Sequence, residues 1–331
     1  MQNLQPFPIA DLHCDLLCYL HNHPSRTAHD PAVRCSIPQL REGNVKIQIM
    51  AIFTETESDS SQKGFGQGEI FKMLPKIFPE DFRIVLDKPE NNDSQIQIIP
   101  SLENGSAFCE EEGDLKLALK QLDSLQRKVG KLLYVSLTWN TENRFGGGAH
   151  TSIGLKEDGK ELIRYMSQRN IALDISHASD HLAYDCLNFI DKERLPITVL
   201  ASHSNFRNIT NAPRNLPDDI AKEIIRRDGI IGLNFVRFFV GENSPNNFVR
   251  QLEHALSLNA EKNICFGADF FYGEDVSQKH RSRSAYFFPS YDHAGTYPKV
   301  LDLWRSVGGV SETLLRDICF DNLHQFLLKR M

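Results

Sequence analysis

Histidine and carboxylate side chains follow several short apolar segments of this chain. His13 and Asp15 end the segment that begins at Ile9. Because side chains two apart on a strand point to the same side, both can reach one ion. An imidazole nitrogen and a carboxylate oxygen are both good zinc ligands. A His-x-Asp pair is common by chance, so its position directly after the first apolar segment gives it weight.

Three further apolar segments end in residues of the same kinds. Glu103 ends the third, where one carboxylate can bridge two cations about 3.5 to 4 Å apart. His177 and His203 each follow an apolar segment by the same offset, which argues against chance. Taken singly, these side chains would be interpreted as a solvated glutamate and two structural histidines. Together with His13 and Asp15 they supply enough ligands for two ions and leave positions open for water and substrate.

Two more residues suit hydrolysis at such a site. Asp269 ends the eighth apolar segment, where a carboxylate can take a proton from water and pass it to a leaving amine. A sixth metal ligand, or a carboxylate that orients a histidine, is the alternative. Arg214 lies in the loop after His203, and its planar fork can bind a substrate carboxylate through two hydrogen bonds. An arginine that caps the next helix is the competing interpretation.

These residues need elements that bring them together. Apolar segments rich in Val, Ile and Leu predict eight strands, at residues 9–15, 45–54, 96–104, 132–140, 171–177, 197–204, 229–236 and 264–270. Apolar residues recur at helical spacing in the stretches between them, at 114–128, 157–169, 180–192, 217–227 and 247–258. A doubly wound open sheet gives the same α/β alternation. Five of the eight segments end on possible metal ligands, and a closed barrel brings all strand ends around one mouth. This favours a single-domain (β/α)8 TIM barrel.

The remaining segments are less regular. Residues 55–69, rich in Ser, Gly and Gln, and residues 272–297 are predicted as long loops near the mouth of the barrel. Either loop can cover the site or be a solvated insertion. Residues 310–329 predict a helix packed outside the barrel. The sequence contains no internal repeat or convincing linker, so we expect one domain over residues 1–331.

Composition excludes several classes of protein. The 331 residues carry a net charge of -6, which argues against affinity for nucleic acid. No apolar stretch reaches the length of a membrane span, and no secretory signal is evident, so we expect no membrane association. The seven cysteines are scattered without a C-x-x-C pair, which indicates reduced thiols and a cytoplasmic location.

Six motifs of this chain resemble one known family. They are DLHCDLL, SLENG, SLTWNTEN, LDISHAS, ASHSNFRNITNAPRNLPDD and FGADF. In order and approximate spacing they are similar to those of the membrane (renal) dipeptidase family of the amidohydrolase superfamily. The resemblance runs from residue 11 to about residue 273, and residues 202–216 are its most specific part. It implies a TIM barrel that holds two zinc ions and hydrolyses dipeptides through a metal-bridging water. Related enzymes are often homodimers.

The resemblance also implies a role for each site residue. His13 and Asp15 would bind one zinc ion, His177 and His203 the other, and Glu103 both; Asp269 would transfer the proton and Arg214 would bind the dipeptide carboxylate.

One position departs from the mammalian pattern. Mammalian members carry a histidine after Leu-Thr in the fourth-strand motif, whereas this chain has Trp139, followed by Asn140. Related bacterial sequences are similar to this one here, which indicates a subfamily difference. We expect Trp139 and Asn140 to contact substrate, and Asn140, Asn143 or His150 to replace the missing donor.

Two other functions remain open. An amidohydrolase acting on N-acyl amino acids, lactams or other small amides would use the same metal site, because the site specifies water attack and not the leaving group. A non-catalytic metal-binding barrel is the rival from a different class. Retention of all five ligand positions argues against it.

Overall fold

The computed structural model describes residues 7–90, 94–279, 281–282, 284–306 and 310–331. The strands are β1 Ile9–Cys14, β2 Val45–Phe53, β3 Phe82–Ile84, β4 Ile96–Glu103, β5 Tyr134–Ser136, β6 Ala172–Asp174, β7 Val199–Leu200, β8 Ile231–Leu233 and β9 Ile264–Phe266. The α-helices are α1 Leu16–Asn22, α2 Ile37–Glu42, α3 Ser60–Ile77, α4 Leu115–Val129, α5 Glu157–Ser167, α6 Asp180–Glu193, α7 Asp218–Arg226, α8 Arg237–Val240, α9 Asn247–Ser257, α10 Tyr297–Arg305, α11 Glu312–Arg316 and α12 Asn322–Arg330. Each predicted apolar segment contains one strand.

The strands form a parallel barrel. Neighbouring strands follow the order β7-β6-β5-β4-β2-β1-β9-β8, and each of these pairs is parallel. Ala201, just after β7, forms a parallel bridge with Ile231 of β8, which joins the two ends of the sheet. Helices lie between successive strands, so the predicted (β/α)8 barrel is confirmed. Among the strands in the described residues, β3 alone was not predicted, and it pairs with β4 beside the barrel.

Apolar side chains fill the inside of the barrel. Ala10 and Leu12 of β1 belong to one buried cluster with side chains from the other barrel strands. Residues 310–329, predicted as one helix, form α11, a π-helical turn at Asp317–Asp321 and α12, and α12 contributes Leu323 and Leu327 to this cluster. The Asn322 side chain donates a hydrogen bond to the carbonyl of Ile264, where β9 begins, at 2.8 Å. The helix therefore covers the end of the barrel where the strands start, and the opposite end is left for the site.

The structure corrects one predicted loop. Residues 60–69 of the segment 55–69, which we expected to be irregular, belong to helix α3, Ser60–Ile77. A Cβ atom on Gly64 would collide with the carbonyl oxygen of Ala107, and one on Gly68 would lie 2.9 Å from Leu125 Cδ1. These glycines let the helix pack closely against its neighbours. Tertiary packing thus outweighs the poor helix propensity that suggested a loop.

The second predicted loop is largely irregular. Within residues 272–297 the structure has two short 3-10 turns, Gly273–Asp275 and Ala294–Thr296, before α10 begins. Residues 280 and 283 lie outside the described residues. In the described parts of the chain, no helix is long and apolar enough to cross a lipid bilayer.

Candidate metal centre

The ends of β1, β4 and β9 bring four predicted residues together. His13 Nε2 lies 3.1 Å from Glu103 Oε2. The same nitrogen lies 3.9 Å from Asp15 Oδ1 and 3.9 Å from Asp269 Oδ1. All four residues are buried. Three carboxylates thus converge on one imidazole nitrogen at the mouth of the barrel.

The segments that follow β6 and β7 supply two histidines on the other side of Glu103. His177 Nε2 lies 2.7 Å from Glu103 Oε1, and His203 Nε2 lies 3.7 Å from the same oxygen. The two Nε2 atoms are 2.8 Å apart. Glu103 therefore presents Oε2 to His13 and Oε1 to the histidine pair, which is the placement that a bridging carboxylate requires.

Hydrogen bonds fix the tautomers of His13 and His177. The Tyr134 hydroxyl lies 2.8 Å from His13 Nδ1 and 3.1 Å from the carbonyl of Leu12, and when it donates to that carbonyl, Nδ1 is the donor in the pair. Asn140 Oδ1 lies 2.9 Å from His177 Nδ1, and an amide oxygen can only accept. Both rings therefore turn an unprotonated Nε2 toward Glu103.

His203 is held in the same way. Its Nδ1 lies 2.7 Å from Ser202 Oγ, and this hydroxyl donates to Asp174 Oδ2 at 2.6 Å. The hydroxyl must then accept a proton from Nδ1, which leaves Nε2 with a lone pair. Partners of this kind orient histidine ligands in metal sites and fix their tautomer. Three imidazole lone pairs consequently point at one carboxylate.

Burial shapes the charge of these groups. It lowers the pKa of His177 and of His203 well below the ordinary value, which keeps both rings neutral. It raises the pKa of Glu103 to about 8, and the pKa of Asp269 to about 7. Burial also raises the pKa of Asp15 well above its ordinary value, and repulsion from Glu103 adds to the effect.

The donor set fits divalent cations. The Nε2 atoms of His177 and His203 are both acceptors, yet they face each other and Glu103 Oε1 across hydrogen-bonding distances. His13 Nε2 and Asp15 Oδ1 are buried without a hydrogen-bond partner among the described residues. Acceptors gathered away from water are costly unless a proton or a metal lies between them. Neutral imidazoles and carboxylates are suitable ligands for zinc.

The distances do not divide the ligands into the two pairs that the resemblance implies. Two groups of three have ligand atoms within 4.8 Å of one another, and they are His13 with Glu103 and His203, and His13 with Asp15 and Asp269. His13 is common to both groups. The six residues therefore form one continuous cluster, in which Asp269 lies as close to His13 as Asp15 does.

Asp269 is held in an unusual backbone conformation. Its φ is 61°, in the left-handed region that residues other than glycine seldom adopt. Asn234 Nδ2 donates to Asp269 Oδ2 at 2.9 Å, while Oδ1 faces His13. One carboxylate oxygen is thus anchored and the other points into the cluster.

Arg214 is buried beside the histidine pair. Its guanidinium donates to the carbonyls of Ser176 and His203 and lies 3.2 Å from His177 Nε2. Its Nε has no hydrogen-bond partner among the described residues. A surface arginine that caps the following helix, the alternative from the sequence, does not match this position. Burial lowers the pKa of Arg214, because its charge is kept away from water.

A cavity of about 320 Å³ opens above the cluster. Its wall includes six aromatic side chains, those of Phe53, Trp139, Phe238, Phe239, Phe271 and Tyr286. The Trp139 ring lies 5.9 Å from that of His177. Asn140 and His150 also line the cavity, whereas Asn143 is absent from the wall and donates to Asn104 and to the carbonyl of Leu137. Asn140 therefore both borders the cavity and orients His177.

Sequence reasoning missed the residues that orient the histidines. Ser202 and Asp174 lie inside two of the quoted motifs, so their spacing from His203 and His177 was available as a signal. Tyr134 carried no such signal, because it is 121 residues from His13. Asp275, which also lines the cavity, was included only as part of a predicted loop.

Known proteins resemble this chain in sequence and in fold. A family model described as membrane dipeptidase (peptidase family M19) matches residues 2–326. An uncharacterized dipeptidase of Schizosaccharomyces pombe is 25% identical over 306 residues, which are 81% of this chain and 70% of that protein. Two solved structures each have a TM-score of 0.82 and cover 98% of this chain, and this chain covers 99% of each. One is a metallo peptidase from Rhodobacter sphaeroides with a phosphinate mimic of the dipeptide L-Ala-D-Ala (20% identity), and the other is the M19 metallo peptidase dipeptidase AC (21% identity).

Proposed function

This chain belongs to the membrane dipeptidase family of metallopeptidases, M19, and from that premise we propose that it hydrolyses dipeptides with two zinc ions. The observation that carries the proposal is Glu103, with one oxygen facing His13 and the other facing His177. A carboxylate placed between two sets of neutral imidazole nitrogens is suited to two cations held side by side. The same arrangement gives a binding barrel without catalysis no evident advantage.

The proposed ligands follow the family pattern. His13 and Asp15 would hold one ion, His177 and His203 the other, and Glu103 both. Bound zinc supplies Lewis acidity, which lowers the pKa of water and polarises a carbonyl group. Tyr134, Asn140 and Ser202 would keep the three histidine rings in place.

Asp269 is the proposed proton-transfer residue. Asn234 fixes one of its carboxylate oxygens, so the other stays directed at the site. A carboxylate held in this way can take a proton from water and return it to the departing amine. This placement supports a general base over a residue that only orients His13.

Arg214 and the aromatic wall are the proposed substrate contacts. Arg214 would bind the dipeptide carboxylate through guanidinium N–H groups, in the bidentate manner that arginine favours. Trp139 and Asn140 would lie against the substrate beside His177. The Rhodobacter sphaeroides metallo peptidase holds a mimic of L-Ala-D-Ala, which makes dipeptides with a D-residue at the carboxyl end a first choice for assay.

We also propose a cellular location and an oligomeric state for the protein. All seven cysteines are free and buried, which supports a reducing compartment such as the cytoplasm. The family resemblance also suggests a homodimer. Sedimentation analysis of the purified protein would test the homodimer. Fractionation of the source cells would test the cytoplasmic location.

Metal analysis and a substrate panel test the function. The purified protein should contain about two equivalents of zinc, as a bridged pair of ions requires. It should cleave dipeptides of L,L or L,D configuration, lose that activity on chelation and regain it when zinc is added. Metal binding with cleavage of N-acyl amino acids only would favour the other amidohydrolase reaction. A purified protein that binds no added zinc would refute the proposal.

A further inference from the structure

One carboxylate in the cavity has no part in the proposed metal centre. Asp275 lies in the turn after β9, lines the cavity, and has a side chain that is only 11% exposed. Its Oδ1 accepts a hydrogen bond from Asn22 Nδ2 at 3.1 Å and lies 2.9 Å from His23 Nε2. Its Oδ2 is buried and has no hydrogen-bond partner among the described residues. One oxygen is therefore anchored to the protein, and the other is buried without a partner in the described part of the chain.

Asp275 and Arg214 lie on different sides of the barrel mouth. Asn22 and His23, which anchor Asp275, belong to the end of α1, the helix that directly follows β1. Arg214 contacts Ser176 and His203, which follow β6 and β7. In the barrel order, β2, β4 and β5 separate β1 from β6, and β9 and β8 separate β1 from β7. Asp275 itself follows β9, and β8 lies between β9 and β7, so the two groups are carried by different, non-adjacent strands around the mouth.

The charges of the two groups match those of a dipeptide. A dipeptide at neutral pH carries an ammonium group at one end and a carboxylate at the other, with the scissile bond between them. Arg214 supplies the positive charge on one side of the cavity and Asp275 the negative charge on the other, and both groups line it together with Glu103 of the metal centre.

Resting on the proposed function, we propose that Asp275 binds the α-ammonium group of the substrate and thereby selects dipeptides with a free amino end. An N-acyl amino acid offers no cation at this place and would leave a buried carboxylate oxygen unpaired. A site built for a polar partner rejects analogues that lack it, because its own polar group then loses both water and ligand. The cavity wall also includes the uncharged side chains of Phe53, Phe271 and Val276.

A pair of ligands that differ only in the α-amino group tests this assignment. Alanyl-alanine and propionyl-alanine are such a pair, with the carboxyl-terminal configuration that the wild-type protein prefers. Asp275→Asn preserves the size of the side chain and an oxygen for Asn22. In the zinc-loaded variant we expect kcat/KM for alanyl-alanine to fall about 10- to 100-fold, the range for a hydrogen bond to a charged group. The inhibition constant of propionyl-alanine as a competitor should not rise.

Glu274→Gln is the matched control. Glu274 precedes Asp275 in the same turn, but its side chain is 62% exposed and pairs with Arg281. This variant should keep the wild-type preference for alanyl-alanine. Equal weakening of both ligands by Asp275→Asn would show that Asp275 only anchors the turn on α1, and unchanged values for both would also overturn the inference.

The proposed function can fail separately. In that case the wild-type protein, loaded with zinc, cleaves no dipeptide. Calorimetric binding of alanyl-alanine to wild-type and Asp275→Asn protein then still decides the ammonium site, because weaker binding in the variant supports it and equal binding refutes it.

Discussion

Metal removal should leave a protein whose stability falls as the pH rises above neutrality, because burial raises the pKa of three carboxylates of the site, Glu103, Asp15 and Asp269. Burial raises the pKa of Glu103 from an ordinary 4.5 to about 8. The folded protein then holds a proton at pH 7 that the unfolded chain has already lost. Because the folded-state pKa is the higher one, this stability is present at low pH and is lost as the pH rises through the folded-state value.

The size of the effect follows from that pKa. Glu103 with a pKa of about 8 is about nine-tenths protonated at pH 7 and half protonated at pH 8, whereas an unfolded glutamate is ionised throughout. A difference of one bound proton changes the free energy of unfolding by about 1.4 kcal/mol per pH unit. Glu103 alone should therefore remove about 1 kcal/mol between pH 7 and pH 8.

The window above pH 7 separates this effect from that of the histidines. Burial lowers the pKa of His177 and His203, so below about pH 6.5 the unfolded chain binds the extra protons and stability rises with pH. In the acidic range the histidines make the stability rise with pH, whereas Glu103 makes it fall. Near pH 8 the buried cysteines, such as Cys18, add a small loss of their own, because burial raises the pKa of the folded thiols.

Urea unfolding of chelator-treated protein at several pH values between 7 and 8 measures the slope. Glu103→Gln removes one titrating group and leaves the cysteines unchanged, and it also relieves the repulsion that raises the pKa of Asp15 and Asp269, so the difference between the two slopes reports Glu103 and its coupling to these two carboxylates. The variant should be flatter by about 1 kcal/mol per pH unit. Zinc should flatten the wild-type curve, since a bound cation keeps the carboxylate ionised. Equal slopes in wild type and variant, or a gain in wild-type stability over this range, would refute the reasoning.

Three further changes have definite outcomes. Asp269→Asn should lower kcat about 100- to 10,000-fold while elemental analysis finds the same metal content, and retained turnover would contradict its role in proton transfer. Tyr134→Phe removes the partner of His13 Nδ1 and should weaken zinc binding about 10- to 100-fold in competition with a coloured chelator; unchanged affinity would mean that packing alone orients the ring. Gly64→Ala places a methyl group against the Ala107 carbonyl and should cost about 1 to 3 kcal/mol in urea unfolding, unless α3 can move away.

Much of the fold could be predicted because it depends on local patterns. Alternating apolar segments and amphipathic stretches marked the eight strands and the helices α4, α5, α6, α7 and α9. The sequence pattern did not predict the elements whose formation depends on tertiary packing. Helix α3 contains glycines that suggest a loop, yet they permit its close approach to Ala107. Strand β3 has three residues, too few for a periodic signal, and exists because β4 offers an edge for pairing.

The candidate site could likewise be predicted only in part. Residue types and their positions at strand ends sufficed to select His13, Asp15, Glu103, His177, His203 and Asp269 as a group, because a barrel collects its strand ends at one mouth. The sequence did not indicate which imidazole nitrogen faces the site. That depends on Tyr134 and Asn140, which lie 121 and 37 residues from the histidines they hold.

The sequence by itself determined the chemistry available to this protein, because side-chain type sets which atoms can bind a metal or move a proton. Only the tertiary structure decided how that chemistry is arranged. Closure of the barrel buries Arg214 beside His177 instead of leaving it at the surface, and it brings the turn with Asp275 against the end of α1. Contacts between residues so distant along the chain arise from the packing of whole elements, which no local pattern records.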